Sequence, residues 1–127
     1  MNPTGITYHR NSKTLELTYA GRRASTLPAE LLRVYSPSAE VRGHSDAERV
    51  LQTGKKHVGI ERIEAVGNYA IRIVFDDGHD TGIYSWGFLR DLAENEADYW
   101  RRYLDDLDEK NASRLPTIPV GQWTPRL

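Results

Sequence analysis

Apolar residues recur along this chain first with a period of two and later with a period near 3.6. Ile6 and Tyr8, then Leu15, Leu17 and Tyr19, alternate with polar neighbours, as strands with one buried face do. Asn11-Ser12 lies between the two runs and suits a tight turn, because Asn tolerates left-handed backbone angles. Gly21 allows a second reversal into a short run around Ala24 to Thr26. The opening therefore predicts a three-stranded meander. Pro28 is expected in the first turn of a helix, where its missing N–H costs nothing. Glu30, Leu31, Leu32 and Arg33 continue that helix, and Pro37 ends it.

Residues 36–58 are the least periodic stretch. Within them Ser45-Asp46-Ala47-Glu48 has the spacing of a capping box. A short helix should follow, with Val50 and Leu51 inward and Gly54 closing it. The strongest β signal comes next: Ile60 to Val66 and Tyr69 to Phe75 flank Gly67-Asn68, a two-residue hairpin loop. Ile71, Ile73 and Phe75 share the core face. Asp77-Gly78 marks a second turn into a strand through Ile83 and Tyr84, which completes a second meander.

From Trp86 the period becomes helical. Ser85 can cap a helix with Trp86, Leu89, Leu92 and Ala93 on one side. A second helix from about Glu96 to Lys110 places Trp100, Tyr103, Leu104 and Leu107 on one stripe. Arg101, Asp105, Asp108 and Glu109 take the opposite face. Residues 1–112 read as one domain. Residues 113–127 carry Pro116, Pro119 and Pro125 and read as an extended tail. There Trp123 either folds back or offers an aromatic anchor to a partner. The fold class is thus α+β: two small antiparallel β-meanders packed together, a short helix between them, and one or two C-terminal helices.

Composition narrows the function more than the fold. A chain of 127 residues fits one domain and buries enough surface to need no staple. Its 17 basic and 18 acidic residues are interspersed, so no basic stripe marks a nucleic-acid or acidic-membrane surface. The absence of cysteine removes disulfides, thiolate zinc sites, iron–sulfur ligation and cysteine nucleophiles. The N-terminus shows no apolar leader pattern and no run long enough to span a membrane. A cytoplasmic location is expected.

Three patterns carry candidate chemistry. His44-Ser45-Asp46 has the H-x-D form of a non-haem iron triad, with His57 or His79 as a third ligand. The same Ser and Asp belong to the capping box, however, and an oxygenase barrel would overfill this chain. Asp76, Asp77 and Asp80 cluster at a turn but lack the alternating ligands of a calcium loop. They read as turn residues that bond their own backbone. His79 follows the Asp-Gly turn and can donate to the neighbouring serine loop. The chain has no G-x-S-x-G elbow, and Gly54-Lys55-Lys56 lacks the rest of a phosphate loop.

The block from Leu31 to His44, containing Arg33-Val34-Tyr35-Ser36-Pro37-Ser38, and the block from Val74 to Asp80, continuing into Tyr84 to Arg90, resemble the γ-butyrobetaine hydroxylase-like N-terminal domain family (DUF971). The resemblance covers roughly residues 5–95. It implies an accessory domain found alone in bacteria, before the catalytic domain of γ-butyrobetaine-type oxygenases, or fused to iron–sulfur carrier ATPases. Zinc-binding relatives read C-P-C-x-x-C in the first block, with a histidine after the Asp-Gly turn of the second. Here those positions fall on Ser36, Ser38, Val41 and His79, vestiges of a zinc site. A hydroxyl is a poor ligand beside a thiolate, and valine is none. No metal and no cofactor are expected.

The reading is a non-catalytic accessory or interaction domain linked to iron–sulfur or oxygenase proteins by that resemblance. Its candidate interaction face is Arg33, Ser36, Ser38, Arg42, His44 and His79. The partner is an unidentified protein or a second copy of the chain, with no nucleic acid and no membrane. The competing reading is a small metal-dependent enzyme of non-haem iron type using His44, Asp46 and His79.

Overall fold

Leu15, Leu17 and Tyr19 are buried while Thr14, Glu16 and Thr18 between them are not, so the alternation in the sequence is realised as a strand. The computed structural model describes residues 2–43 and 49–117. Its elements are β1 (Gly5–His9), β2 (Thr14–Tyr19), β3 (Arg22–Pro28), α1 (Ala29–Val34), α2 (Ala39–Arg42), β4 (Ile60–Val66), β5 (Ala70–Phe75), β6 (Ile83–Ser85), α3 (Trp86–Glu94) and α4 (Glu96–Glu109). The strands form two antiparallel three-stranded sheets, β1-β2-β3 and β4-β5-β6. The α+β reading with two meanders is correct.

One hydrophobic core joins the layers. Leu15, Leu17 and Leu27 of the first sheet meet Ile71, Ile73, Phe75 and Tyr84 of the second, with Leu31, Leu32, Leu89, Leu92 and Tyr103 from the helices. Helix α1 is buried along its whole length, which is why its short sequence shows no amphipathic period. Polar bonds fix the sheets relative to one another: the Ile60 amide donates to Tyr8 Oη at 3.0 Å, and Lys13 Nζ donates to His57 O at 2.6 Å.

Several local expectations are corrected. The left-handed residue of the first turn is Lys13 (φ 56) rather than Asn11. Lys13 is held there by tertiary bonds, since its carbonyl accepts the Ala29 amide at 2.9 Å while its ammonium reaches His57. Pro28 is not inside the helix but caps it, extended at ψ 142, as the last residue of β3. The capping box at 45–48 lies outside the described residues, and the helix expected to follow it does not form over 49–53. There the Val50 amide donates to Val41 O at 2.8 Å and Gln52 Oε1 accepts Arg33 Nη1 at 3.0 Å. Long-range partners thus replace the i−4 bonds of a helix, and Val50 is left 51% exposed. Leu104 is 40% exposed, so the buried part of the α4 stripe is Tyr103 and Leu107 with Trp100 at its edge.

The second sheet follows its sequence more closely. Gly67 (φ 55) turns β4 into β5, and Gly78 (φ 91) turns the chain after Phe75, a conformation that a side chain would strain. Ser85 caps α3, accepting the Phe88 amide at 3.2 Å. Trp86 Nε1 donates to Asn68 O at 2.9 Å, which ties the start of α3 to the Gly67-Asn68 turn. Ser113 and Arg114 also join the fold: their carbonyls accept the amides of Gly54 and Lys56, each at 2.9 Å. No helix among the described residues is long and apolar enough to cross a membrane.

Candidate functional site

Helix α1 ends at Val34 because Pro37 cannot continue it, and the chain then turns through Ser36 and Ser38 into the single turn of α2. The Asp77-Gly78 reversal delivers His79 to the same place. Phe75 N donates to His79 O at 2.9 Å and Gly78 N to Phe75 O at 3.2 Å. His79 Nε2 lies 2.8 Å from Ser36 Oγ and 3.4 Å from Ser38 Oγ. Ser36 Oγ donates to Ser38 Oγ at 3.3 Å. Nδ1, on the other side of the ring, is 3.6 Å from Glu40 Oε2. Val41 is buried. Of the four positions that the resemblance assigns to a zinc site, Ser36, Ser38 and His79 are thus in contact, and Val41 follows on the same loop with its amide donating to Ser38 O at 3.2 Å.

Their chemistry does not fit zinc. Ser36 Oγ, Ser38 Oγ and His79 Nε2 meet as a hydrogen-bonded trio, but neutral hydroxyls are poor ligands beside thiolates and Val41 offers only methyl groups. Among the described residues no three His, Cys, Asp or Glu side chains are grouped as a metal site requires. His44 and Asp46 lie outside the described residues.

Arg33 was expected on an interaction face and is instead buried, as are Ser36, Ser38 and His79. Arg33 is a strut: Nε donates to Asp77 Oδ2 at 2.9 Å and Nη1 to Gln52. Lys55 Nζ reaches the same Asp77 oxygen at 2.6 Å, and Asp77 Oδ1 accepts the His79 amide at 3.2 Å. Burial alone would raise the Asp77 carboxyl, but the bonds from Lys55, Arg33 and the His79 amide hold it below the usual range. For His79, burial first and the Arg33 charge second lower the pKa against the opposing pull of Glu40 and Asp77, so the ring is neutral at pH 7. The other turn aspartates are also occupied: Asp76 Oδ1 accepts the Gly59 amide at 3.0 Å, and Asp80 lies 3.6 Å from Arg72 Nη1.

Of the proposed face, Arg42 is exposed. It lines a cleft of about 520 Å³ between the Tyr35–Pro37 loop and helices α3 and α4, together with Arg49, Arg102, Phe88 and Tyr99. No sequence pattern marks this cleft, because its parts come from four separate segments. Its floor is built from aromatic contacts. Tyr35 stands edge-on to Tyr99 with ring centres 4.8 Å apart and donates Oη to Tyr99 O at 2.8 Å. The Arg49 guanidinium lies 3.9 Å over the Tyr35 ring.

The γ-butyrobetaine hydroxylase-like N-terminal family matches residues 6–90. This chain belongs to that family. Two proteins solved by NMR in solution are similar to it over almost their whole lengths. One is 50% identical, with a TM-score of 0.78, over 98% of this chain and 93% of the other. The second is 44% identical, with a TM-score of 0.79, over 98% of each chain. A crystal structure from Acidithiobacillus ferrooxidans, of a protein with unknown function in the DUF971 family, is 36% identical. It covers 72% of this chain and 92% of its own, with a TM-score of 0.61. No curated protein matches. The family block therefore contains the Ser36–His79 cluster and the loop wall of the cleft, while α4, with Tyr99 and Arg102, lies beyond it.

Proposed function

We propose that this chain is a non-catalytic accessory domain that docks onto a protein partner through the rim of the cleft beside the Ser36–Gly43 loop. The observation that carries the reading is the environment of His79. This residue stands where the family's resemblance places a metal ligand, yet it is buried and bonded to Ser36, with Glu40 facing its other nitrogen. A histidine so placed holds a loop in register and has no open side for a substrate. Arg42 and Ile83 lie at the rim, Ile83 being 49% exposed. An exposed guanidinium beside apolar surface is a usual composition for a protein-binding patch. The family resemblance favours an oxygenase or iron–sulfur protein as the partner, in a cytoplasmic setting.

The test pairs affinity purification from the native cell with melting curves. Arg42→Glu is expected to lose the co-purifying partner at an unchanged melting temperature, whereas His79→Ala should lower the melting temperature. Retention of the partner by Arg42→Glu would overturn the docking face. Iron- and 2-oxoglutarate-dependent turnover by the wild type, abolished by His44→Ala, would overturn the non-catalytic reading. A solution mass of two chains, disrupted by Arg42→Glu, would identify the partner as a second copy.

A further inference from the structure

Arg42, Arg49 and Arg102 come from three separate segments and line one cleft, and the carboxylate lining it with them is Asp91. That carboxylate is already engaged: Oδ2 accepts the Tyr99 hydroxyl, and Oδ1 accepts Asn95 Nδ2 at 2.8 Å. Arg49 is mostly buried, stacked on Tyr35, with Nη2 at 3.7 Å from Asp106 on α4. Its Nη1 is buried and has no hydrogen-bond acceptor among the described residues. A buried guanidinium N–H without an acceptor is costly. In a cleft with two further arginines, an anion is the kind of acceptor that would satisfy it.

We propose that this cleft binds a small organic dianion, with oxyanion groups held by Arg49 and Arg102 and an apolar body lying against Phe88 and Tyr99. The size of the cleft suits a metabolite-sized ligand. Guanidinium groups hold carboxylate and phosphate oxygens with paired N–H bonds. Among the described residues Arg49 is already faced by Asp106 at 3.7 Å and the Asp91 oxygens are occupied, so the charges of Arg42 and Arg102 remain along the cleft and suit a dianion rather than a monoanion. The inference goes beyond partner docking and does not depend on it, since a small ligand fills the cleft whether or not a protein covers the rim.

The test titrates the full-length ¹⁵N-labelled protein with phthalate, succinate, phenyl phosphate and inorganic phosphate, following amide shifts. Benzamide serves as the uncharged control and a short oligoglutamate peptide as the macromolecular one. Saturable shifts confined to the cleft segments are expected with phthalate or phenyl phosphate, weaker with succinate and inorganic phosphate, and absent with benzamide. Which aromatic dianion binds more tightly separates carboxylate from phosphate. Arg102→Gln changes an exposed residue and should keep the fold while raising the dissociation constant about tenfold or more. Arg49→Met should abolish binding, with the spectrum reporting whether the fold survives. Non-saturating shifts, or equal affinity in Arg102→Gln, would overturn the proposal. Binding of oligoglutamate alone would also overturn it, while leaving the docking reading intact.

Discussion

His79 and Asp77 show how single side chains hold a loop in register through hydrogen bonds and ion pairs. Replacing His79 by alanine leaves the Ser36 hydroxyl without its closest partner, so a loss of about 1–3 kcal/mol is expected in denaturant unfolding. Asp77→Ala should cost a similar amount, because it leaves the buried Arg33 guanidinium without its carboxylate. Arg42→Gln, changing an exposed side chain, should stay within about 0.5 kcal/mol of wild type. The pH dependence follows from the same pair. The His79 pKa is lowered in the folded protein, so below the ordinary value of 6.5 the unfolded chain binds a proton that the folded chain resists. Stability should therefore fall as pH drops below about 6.5. His79→Gln should remove that part of the slope. Asp77, also depressed, adds stability that is lost only at more acidic pH, as its carboxyl protonates. Melting curves at pH 7.5 and 5.5 for wild type and His79→Gln check this, and equal slopes would refute the assignment.

At the scale of elements, close approach decides what can be changed. A Cβ at Gly82 would fall within contact distance of Ser36 Oγ and the Tyr84 ring, where the segment entering β6 passes the serine loop. Gly82→Ala should destabilise by about 1–3 kcal/mol through overpacking. Gly87, whose Cβ would meet nothing within 4 Å, should accept alanine without loss, helped by helix propensity. The chain after α4 is tied in by charge. Arg114 makes a paired bond to the buried Glu30 of α1, with Nε and Nη2 each at 2.7 Å from its oxygens. Tyr103 donates to the same carboxylate at 2.7 Å. Arg114→Met should cost about 3 kcal/mol by leaving Glu30 buried without its counter-charge. Adding Glu30→Gln should cost less than the sum of the two single changes. Additive losses would show that the pair does not act as a unit.

For the whole molecule, the prediction concerns metal. A core joining both sheets and all the larger helices is enough to hold a domain of this length together. Because the hydroxyls and methyls at positions 36, 38 and 41 do not make a zinc site, chelators should leave the melting temperature unchanged. Elemental analysis should find no stoichiometric zinc. One zinc per chain would sink this account.

Local sequence alone was enough for the strands, the Gly67 and Gly78 turns and the two C-terminal helices, the first of them capped by Ser85. Alternation, Gly67, Gly78 and Ser85 act through neighbours only a few residues away, so local pattern is enough to set them. The same sequence excludes thiolate ligands, since it holds no cysteine and folding cannot supply a missing residue type. Tertiary structure decided the rest. Leu51 packs against the core without the helix expected around it, because the Val50 amide and Gln52 bond across the fold. Arg33 and His79 look like surface residues in the sequence and are buried, because Asp77 and Ser36, more than forty positions away in each case, supply their partners. The arginine cleft was invisible for the same reason. Hydrophobic period reports which face of an element is buried, but which polar groups meet is decided only when distant segments are packed together.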